Sequence, residues 1–132
     1  MTPDTKYSLT AGSTFILISI VLGAFGAHAL KSALSPEQLD SFLTGVRYSM
    51  YNGLGLIGLG LAKSIYPKLK VQVVRWLIIV GTVLFSSSIF LLATREISHL
   101  DNIGWMGPIT PIGGSLMILG WAMLVINLIR YR

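Results

Sequence analysis

Four uncharged hydrophobic runs constrain what this chain can fold into. They cover residues 9–29, 52–62, 76–93 and 112–129, and none contains Asp, Glu, Lys or Arg. Three of them approach or exceed the length of about 18 residues that marks a membrane span, and the second lengthens when its flanks from Tyr48 to Tyr66 are included. Charged residues make up 11% of the chain, against about 25% in a soluble protein. The sequence therefore predicts an all-α membrane protein with four transmembrane helices.

The ends of these runs predict the boundaries of the helices within a single domain over residues 1–132. We expect spans at about residues 7–30, 47–65, 73–94 and 111–130. Ser35, Pro36 and Gln38 form the pattern of a helix start with a capping box. An apolar face follows at Leu39, Phe42, Leu43 and Val46. This pattern predicts a short amphipathic interfacial helix at about 36–46, and packing as a loop helix is the alternative. Thr110 and Pro111 predict the start of the fourth helix.

The first span is also compared with a secretory signal, because Ala27, His28 and Ala29 have the small-x-small form of a cleavage site. A signal has an apolar region of about 7–15 residues, and this run is longer. We therefore expect the span to be retained.

The distribution of basic residues predicts how the protein lies in the membrane. A net charge of +5 and a pI of 9.8 would suit nucleic-acid binding only if Lys and Arg shared a solvated face, and here they flank the hydrophobic runs. One side of the predicted membrane receives Lys6, Lys63, Lys68, Lys70, Arg75, Arg130 and Arg132, and the other receives Lys31, Arg47 and Arg95. The positive-inside rule then places both termini and the second connection in the cytoplasm, or in the matrix if the membrane is an organelle inner membrane.

Several polar residues are expected to converge in the non-cytoplasmic half of the four helices. They are His28, Tyr48, Tyr51, Asn52, Ser86, Ser88 and Thr110. As a functional site they form a polar pocket for a ligand, a lipid headgroup or a proton path. The structural alternative is that they bond to one another and fix helix packing, which intramembrane hydrogen bonds of this kind commonly do.

Catalysis and metal binding find little support in the residue inventory. The chain has no cysteine and only two histidines, His28 and His99, without a membrane carboxylate, so we expect no metal site, no cofactor and no catalytic residues. Small residues instead recur along the spans and predict close helix packing, namely Gly23, Gly26, Ala27, Gly53, Gly58, Gly113 and Gly114.

Several strings along the chain are similar to those of a known family. They are 22–30, which reads Leu-Gly-Ala-Phe-Gly-Ala-His-Ala-Leu, 44–48, 81–86, 109–114 and 120–121. In this order they resemble the domain of unknown function 423 family, small membrane proteins of the YwdK and YgdD type. The resemblance implies a four-helix bacterial inner-membrane fold with no established activity. It also shows a departure, because members usually have a histidine in the second helix where this chain has Asn52, which cannot titrate.

The sequence thus favours a non-enzymatic protein that stabilises the membrane or serves as an accessory subunit of a larger membrane complex. Its expected partners are membrane lipids, together with other membrane-protein subunits or copies of itself. The alternative is a protein that handles a small molecule, a lipid or protons in the polar pocket.

Overall fold

The computed structural model describes residues 1–131, and every regular element in that part of the chain is helical. The elements are α1 (Pro3–Ala27), α2 (Pro36–Ile65), α3 (Gln72–Thr94) and α4 (Ile109–Ile129), with a short 3-10 turn at Gly104–Met106. The all-helical prediction is confirmed. Helix α1 begins earlier than expected, because Thr2 caps it by accepting a 3.2 Å hydrogen bond from the Thr5 backbone N–H and Pro3 follows that cap.

Three of the helical segments are long and apolar enough to cross a membrane. They are Pro3–Ala27, Gln72–Thr94 and the segment Gly104–Ile129, which contains α4. Helix α2 is not among them, although its 30 residues span about 45 Å at 1.5 Å per residue. The chain is therefore a multi-pass membrane protein.

The interfacial helix predicted at 36–46 is not a separate element, because α2 runs without interruption from Pro36 to Ile65. The predicted start is confirmed: Ser35 and Gln38 form the capping box, with distances of 3.0 and 3.2 Å. The apolar face beyond it packs inside the protein, where Phe42 is buried with Leu34 and Ala93. The amphipathic pattern therefore reports burial against neighbouring helices.

The predicted start of the last helix is also wrong by two residues. Helix α4 begins at Ile109 after Pro108, and Thr110 lies within its first turn. The Thr110 hydroxyl shares a 2.7 Å hydrogen bond with Ser88 of α3, so it is not available as a cap. Pro111 is tolerated there because the first N–H groups of a helix have no partner within it.

The helices pack in chain order, α1 against α2, α2 against α3 and α3 against α4. Glycines allow two of these contacts to be very close. A Cβ added to Gly12 would lie 2.6 Å from the Gly53 carbonyl oxygen, and one added to Gly113 would lie 2.7 Å from that of Gly81. Close backbone approach through small residues is how helices associate in lipid.

Contacts between distant segments show which helix ends lie together. Asp4 of α1 bonds to Arg75 of α3, and the ring of Tyr66 lies 5.5 Å from that of Tyr131. The start of α1, the end of α2, the start of α3 and the end of α4 therefore share one end of the bundle, which we call the terminal end. The connections at 28–35 and 95–108 lie at the other end, which we call the opposite end.

Candidate functional site: a groove between α2 and α4

A groove of about 730 Å³ separates α2 from α4. It exists because α4 packs on α3 and reaches α2 through few contacts. Phe85 of α3 contributes to its lining, and the remaining lining residues come from the two other helices: Tyr48, Tyr51, Asn52, Gly114, Met117, Ile118, Trp121, Ala122 and Val125. Its volume lies within the range of about 300–1,000 Å³ that is usual for ligand pockets.

Asn52 is the polar centre of the groove, and its side chain is fully hydrogen-bonded. Its oxygen accepts a 2.9 Å bond from the Trp121 indole N–H. Its Nδ2 donates to the Tyr48 carbonyl oxygen at 2.9 Å and to the Met117 sulfur at 3.1 Å. Asn52 is only 4% exposed, so these bonds satisfy an amide that would otherwise be costly to bury.

The Trp121 ring lies directly over the backbone of α2. A Cβ at Gly55 would overlap the indole, so the absence of a side chain there makes room for it. Gly55 and Asn52 together fix the ring in place. Trp121 is consequently a rigid part of the groove wall.

Two tyrosines line the groove beside Asn52. The ring of Tyr48 packs 4.9 Å from that of Phe85 and 6.1 Å from that of Tyr51. Both tyrosines are substantially exposed, at 43% and 60%. The structure thus brings together three of the residues expected in the polar pocket.

The hydroxyl residues of the predicted pocket lie outside the groove lining and connect helices. Ser86 donates a 2.9 Å bond to the Gly45 carbonyl oxygen of α2, and Ser88 shares its bond with Thr110 of α4. Both serines are buried. Their geometry is that of interhelical packing.

His28 does not join the others. It is exposed at the end of α1, where its backbone N–H donates to the Ala24 carbonyl oxygen. It is absent from the groove lining. Within residues 1–131, no three His, Asp or Glu side chains come close enough to hold a metal ion.

The small residues predicted to pack helices behave differently from one another. Gly26, Gly53 and Gly113 are buried at helix contacts, and Gly23 and Gly114 approach side chains of neighbouring helices at ordinary distances. Ala27 is exposed. Gly58 is also exposed, and a Cβ there would meet no atom within 4 Å.

Sequence reasoning missed the tryptophan and the methionine of the groove, Trp121 and Met117. Trp121 lies 69 positions from Asn52 in the chain and Met117 lies 65 positions away, so no local pattern links them. The sequence contains part of this information. A tryptophan in the middle of a span needs a hydrogen-bond acceptor for its indole N–H, so Trp121 indicates that a polar residue lies nearby.

A buried charge pair lies far from the groove, at the terminal end. Arg75 is 3% exposed and donates to an Asp4 carboxylate oxygen at 2.8 Å and to the Asp4 carbonyl oxygen at 3.2 Å. Its guanidinium carbon also lies 5.6 Å from the centre of the Tyr7 ring. This pair fastens the start of α1 to α3.

Comparisons with known proteins agree on one family. The profile described as protein of unknown function (DUF423) matches residues 22–114. A UPF0382 membrane protein of Staphylococcus haemolyticus is 38% identical over 126 residues, covering 96% of this chain and 98% of its own. The corresponding protein of Staphylococcus saprophyticus is 39% identical over 122 residues (92% and 96%), and UPF0382 membrane protein YwdK of Bacillus subtilis is 37% identical over 127 (96% and 98%). No solved structure matches the chain.

Proposed function

This chain belongs to the family of membrane proteins described as protein of unknown function (DUF423), and from that premise we propose that it is a non-enzymatic accessory subunit that stabilises a larger membrane complex through helix and lipid contacts. The names of the relatives give a membrane location and no activity. The proposal therefore stands on the geometry of this chain.

The observation that carries it is how the buried polar side chains of the predicted pocket are used. Asn52, Ser86 and Ser88 all hydrogen-bond to neighbouring helices, which leaves their donors and acceptors engaged in packing. A catalytic group needs a nucleophile or base that can reach a substrate. Bonds of this kind instead hold a thin bundle in one arrangement.

The outward face of α2 supports the subunit role. Helix α2 is the least suited of the four to face lipid alone, since it is not among the spans identified by length and apolarity. Beyond the groove, its exposed face contains Leu54, Gly58, Leu61 and Ile65. Glycine within a helix lowers its stability by about 1 kcal/mol relative to alanine, and Gly58 supports no close contact inside this chain. A helix of another subunit that approaches closely would pack against α2 at Gly58, where the absence of a side chain lets the two backbones come near.

Native mass spectrometry after purification in mild detergent tests this role. We expect the 14.3 kDa chain to appear in an assembly with a fixed number of additional subunits. A protein that is monomeric and free of partners under conditions that preserve known membrane complexes would contradict the proposal.

Site-specific cross-linking locates the contact, because the chain contains no cysteine. Gly58→Cys, modified with a thiol-reactive photo-cross-linker, should join the same additional subunit. Thr10→Cys is a matched control: it is exposed on α1, and the contacts of Gly12 with Gly53 and of Gly60 with Ser8 place it at a similar depth. Equal cross-linking at both positions would show that the exposed face of α2 is not the specific contact with the additional subunit.

We place the protein in the bacterial cytoplasmic membrane with both termini in the cytoplasm, because seven Lys and Arg residues lie toward one end of the bundle and three toward the other.

A second candidate function is lipid handling, which the groove between α2 and α4 favours. A proton-handling role is not supported by this geometry, because His28 lies outside the groove.

A further inference from the structure

We infer that the groove between α2 and α4 binds one acyl chain of a membrane phospholipid from the leaflet at the opposite end of the bundle. This inference goes beyond the subunit role and does not rest on it. It depends on where the groove opens, which groups line it and how its rim is shaped.

The groove opens sideways, toward the hydrocarbon of the bilayer. Its α4 wall belongs to a segment apolar enough to cross a membrane. Ile118 and Val125 on that wall are exposed at 70% and 55%, so residues 1–131 leave most of their surface open. Lipid chains are the molecules that meet such an opening in a membrane.

The interior is apolar in effect, although an asparagine lies within it. The Asn52 amide is bonded on both its oxygen and its nitrogen, and the Trp121 N–H is bonded to that oxygen. The remaining α4 positions offer only hydrocarbon, a thioether and glycine. A ligand here gains from burying apolar surface, at about 25 cal/mol per Å².

The two tyrosines give the groove a polar end. Tyr48 and Tyr51 line the groove and are 43% and 60% exposed, so their phenol groups are accessible from outside the chain. Helical side chains lean toward the N-terminus of their helix, and α2 begins at the opposite end. The general lean of helical side chains therefore directs these tyrosines toward that end of the bundle, where a phospholipid ester carbonyl can accept a hydrogen bond from a tyrosine hydroxyl.

The rim of the groove favours a flexible chain over a partner helix. Helices associate in lipid where small residues let their backbones come close. Here four aromatic rings, those of Tyr48, Tyr51, Phe85 and Trp121, contribute to the lining. They hold a helix backbone away, whereas an acyl chain passes between them.

A photoreactive phospholipid tests the inference. The full-length protein is reconstituted into vesicles of phosphatidylethanolamine and phosphatidylglycerol that contain a small fraction of phosphatidylcholine with a diazirine in its acyl chain. After irradiation, peptide mass spectrometry maps the adducts. We expect them to concentrate on 48–52 and 114–125, above Leu17 and Ile20 of α1, which are about as exposed as Tyr51 and Ile118.

Two groove-filling variants and one control separate binding from simple exposure. Ala122→Phe and Val125→Trp place bulk in the groove and should reduce adducts on 48–52 about tenfold, which corresponds to about 1.4 kcal/mol of lost affinity. Leu119→Phe adds a ring on the same helix outside the lining and should leave them unchanged. If circular dichroism shows that Ala122→Phe does not fold, the labelling of Val125→Trp tests the inference.

Three results would overturn the inference. Adducts that follow exposure alone on every helix would show that no site exists, and so would labelling that the filling variants leave unchanged. In native membranes, cross-links from a groove position to another protein would assign the groove to a partner helix. A monomer in the native mass experiment would affect only the subunit proposal, since the groove lies within one chain.

Discussion

Asn52 joins two helices through its side-chain amide. Its oxygen accepts a hydrogen bond from the Trp121 indole N–H, which connects α2 to α4. This connection lies in a groove whose other lining groups are mainly rings and hydrocarbon.

The energy of this connection can be measured with Asn52→Ala, Trp121→Phe and the double variant. Each single change leaves one partner without its bond, so the coupling should be favourable, at about 0.6–1.7 kcal/mol, as for other hydrogen bonds within membranes. Reversible unfolding in mixed micelles gives the three values. Asn127→Ala is the control, because Asn127 donates to the Lys70 carbonyl oxygen in an exposed location and should change stability by less than about 0.5 kcal/mol. A coupling near zero would mean that the hydrogen bond between Asn52 and Trp121 does not stabilise the groove wall.

At the level of helices, one ion pair joins the start of α1 to α3. Arg75 is almost completely buried, and its Nε has no hydrogen-bond partner among the described residues. A buried guanidinium is tolerated only when an opposite charge lies beside it. Asp4 supplies that charge across 71 positions of sequence.

Asp4→Asn should therefore destabilise the protein strongly, by about 3–5 kcal/mol, because it leaves the buried charge of Arg75 unpaired. Asp40→Asn is a matched control: its pair with Arg47 measures 3.3 Å, and the side chains are 74% and 48% exposed. Pairs of that kind contribute about 0–1 kcal/mol. Equal losses in the two variants, measured by thermal unfolding in detergent, would be inconsistent with a structural role for the buried pair.

Glycines separate the helix contacts that are tight from those that are open. A methyl group at Gly113 would overlap the Phe85 backbone, so Gly113→Ala should move α4 away from α3 and cost about 1–3 kcal/mol as an overpacked contact. Gly58→Ala meets open space and should stabilise the isolated chain by up to about 1 kcal/mol through helix propensity. Thermal unfolding of the two variants in one detergent compares them, and losses of similar size would show that Gly58 also packs within the chain.

What could be predicted from the sequence depended on the distance between the partners. The capping box at Ser35 and Gln38 is a local pattern, because both hydrogen bonds join residues three positions apart. Thr110 is likewise followed by a proline, as expected of a helix cap. Its hydroxyl instead bonds to Ser88 on another helix, and Thr110 lies inside the first turn of α4. Periodicity gives the face on which a side chain lies and not the helix that covers it. Hence Tyr48, Tyr51 and Asn52 could be grouped together, whereas Trp121 could not be joined to them.

For the whole molecule, the main question is whether α2 crosses the membrane. If only the three apolar segments crossed, the start of α1 and the end of α4 would lie on opposite sides. The fold instead gathers both at the terminal end, where Asp4 contacts Arg75 and Tyr131 packs near Tyr66. Helix α2 joins the two ends over about 45 Å, which exceeds the roughly 30 Å of bilayer hydrocarbon. We therefore expect α2 to cross the membrane together with the three apolar segments.

Single cysteines introduced into this cysteine-free chain test both the crossing and its direction. Ser32→Cys, Asn102→Cys and Gln72→Cys are exposed, uncharged positions, the first two at the opposite end and the third at the start of α3. A membrane-impermeant maleimide added to intact bacterial cells should label Ser32→Cys and Asn102→Cys. It should label Gln72→Cys only after the cells are permeabilised. The reason is that basic residues concentrate at the terminal end, and such residues are retained in the cytoplasm. Labelling of Ser32→Cys and Gln72→Cys from the same side would mean that α2 does not cross. Reversal of the whole pattern would keep the four crossings and contradict only the orientation, since the helix order is independent of the charges that direct insertion.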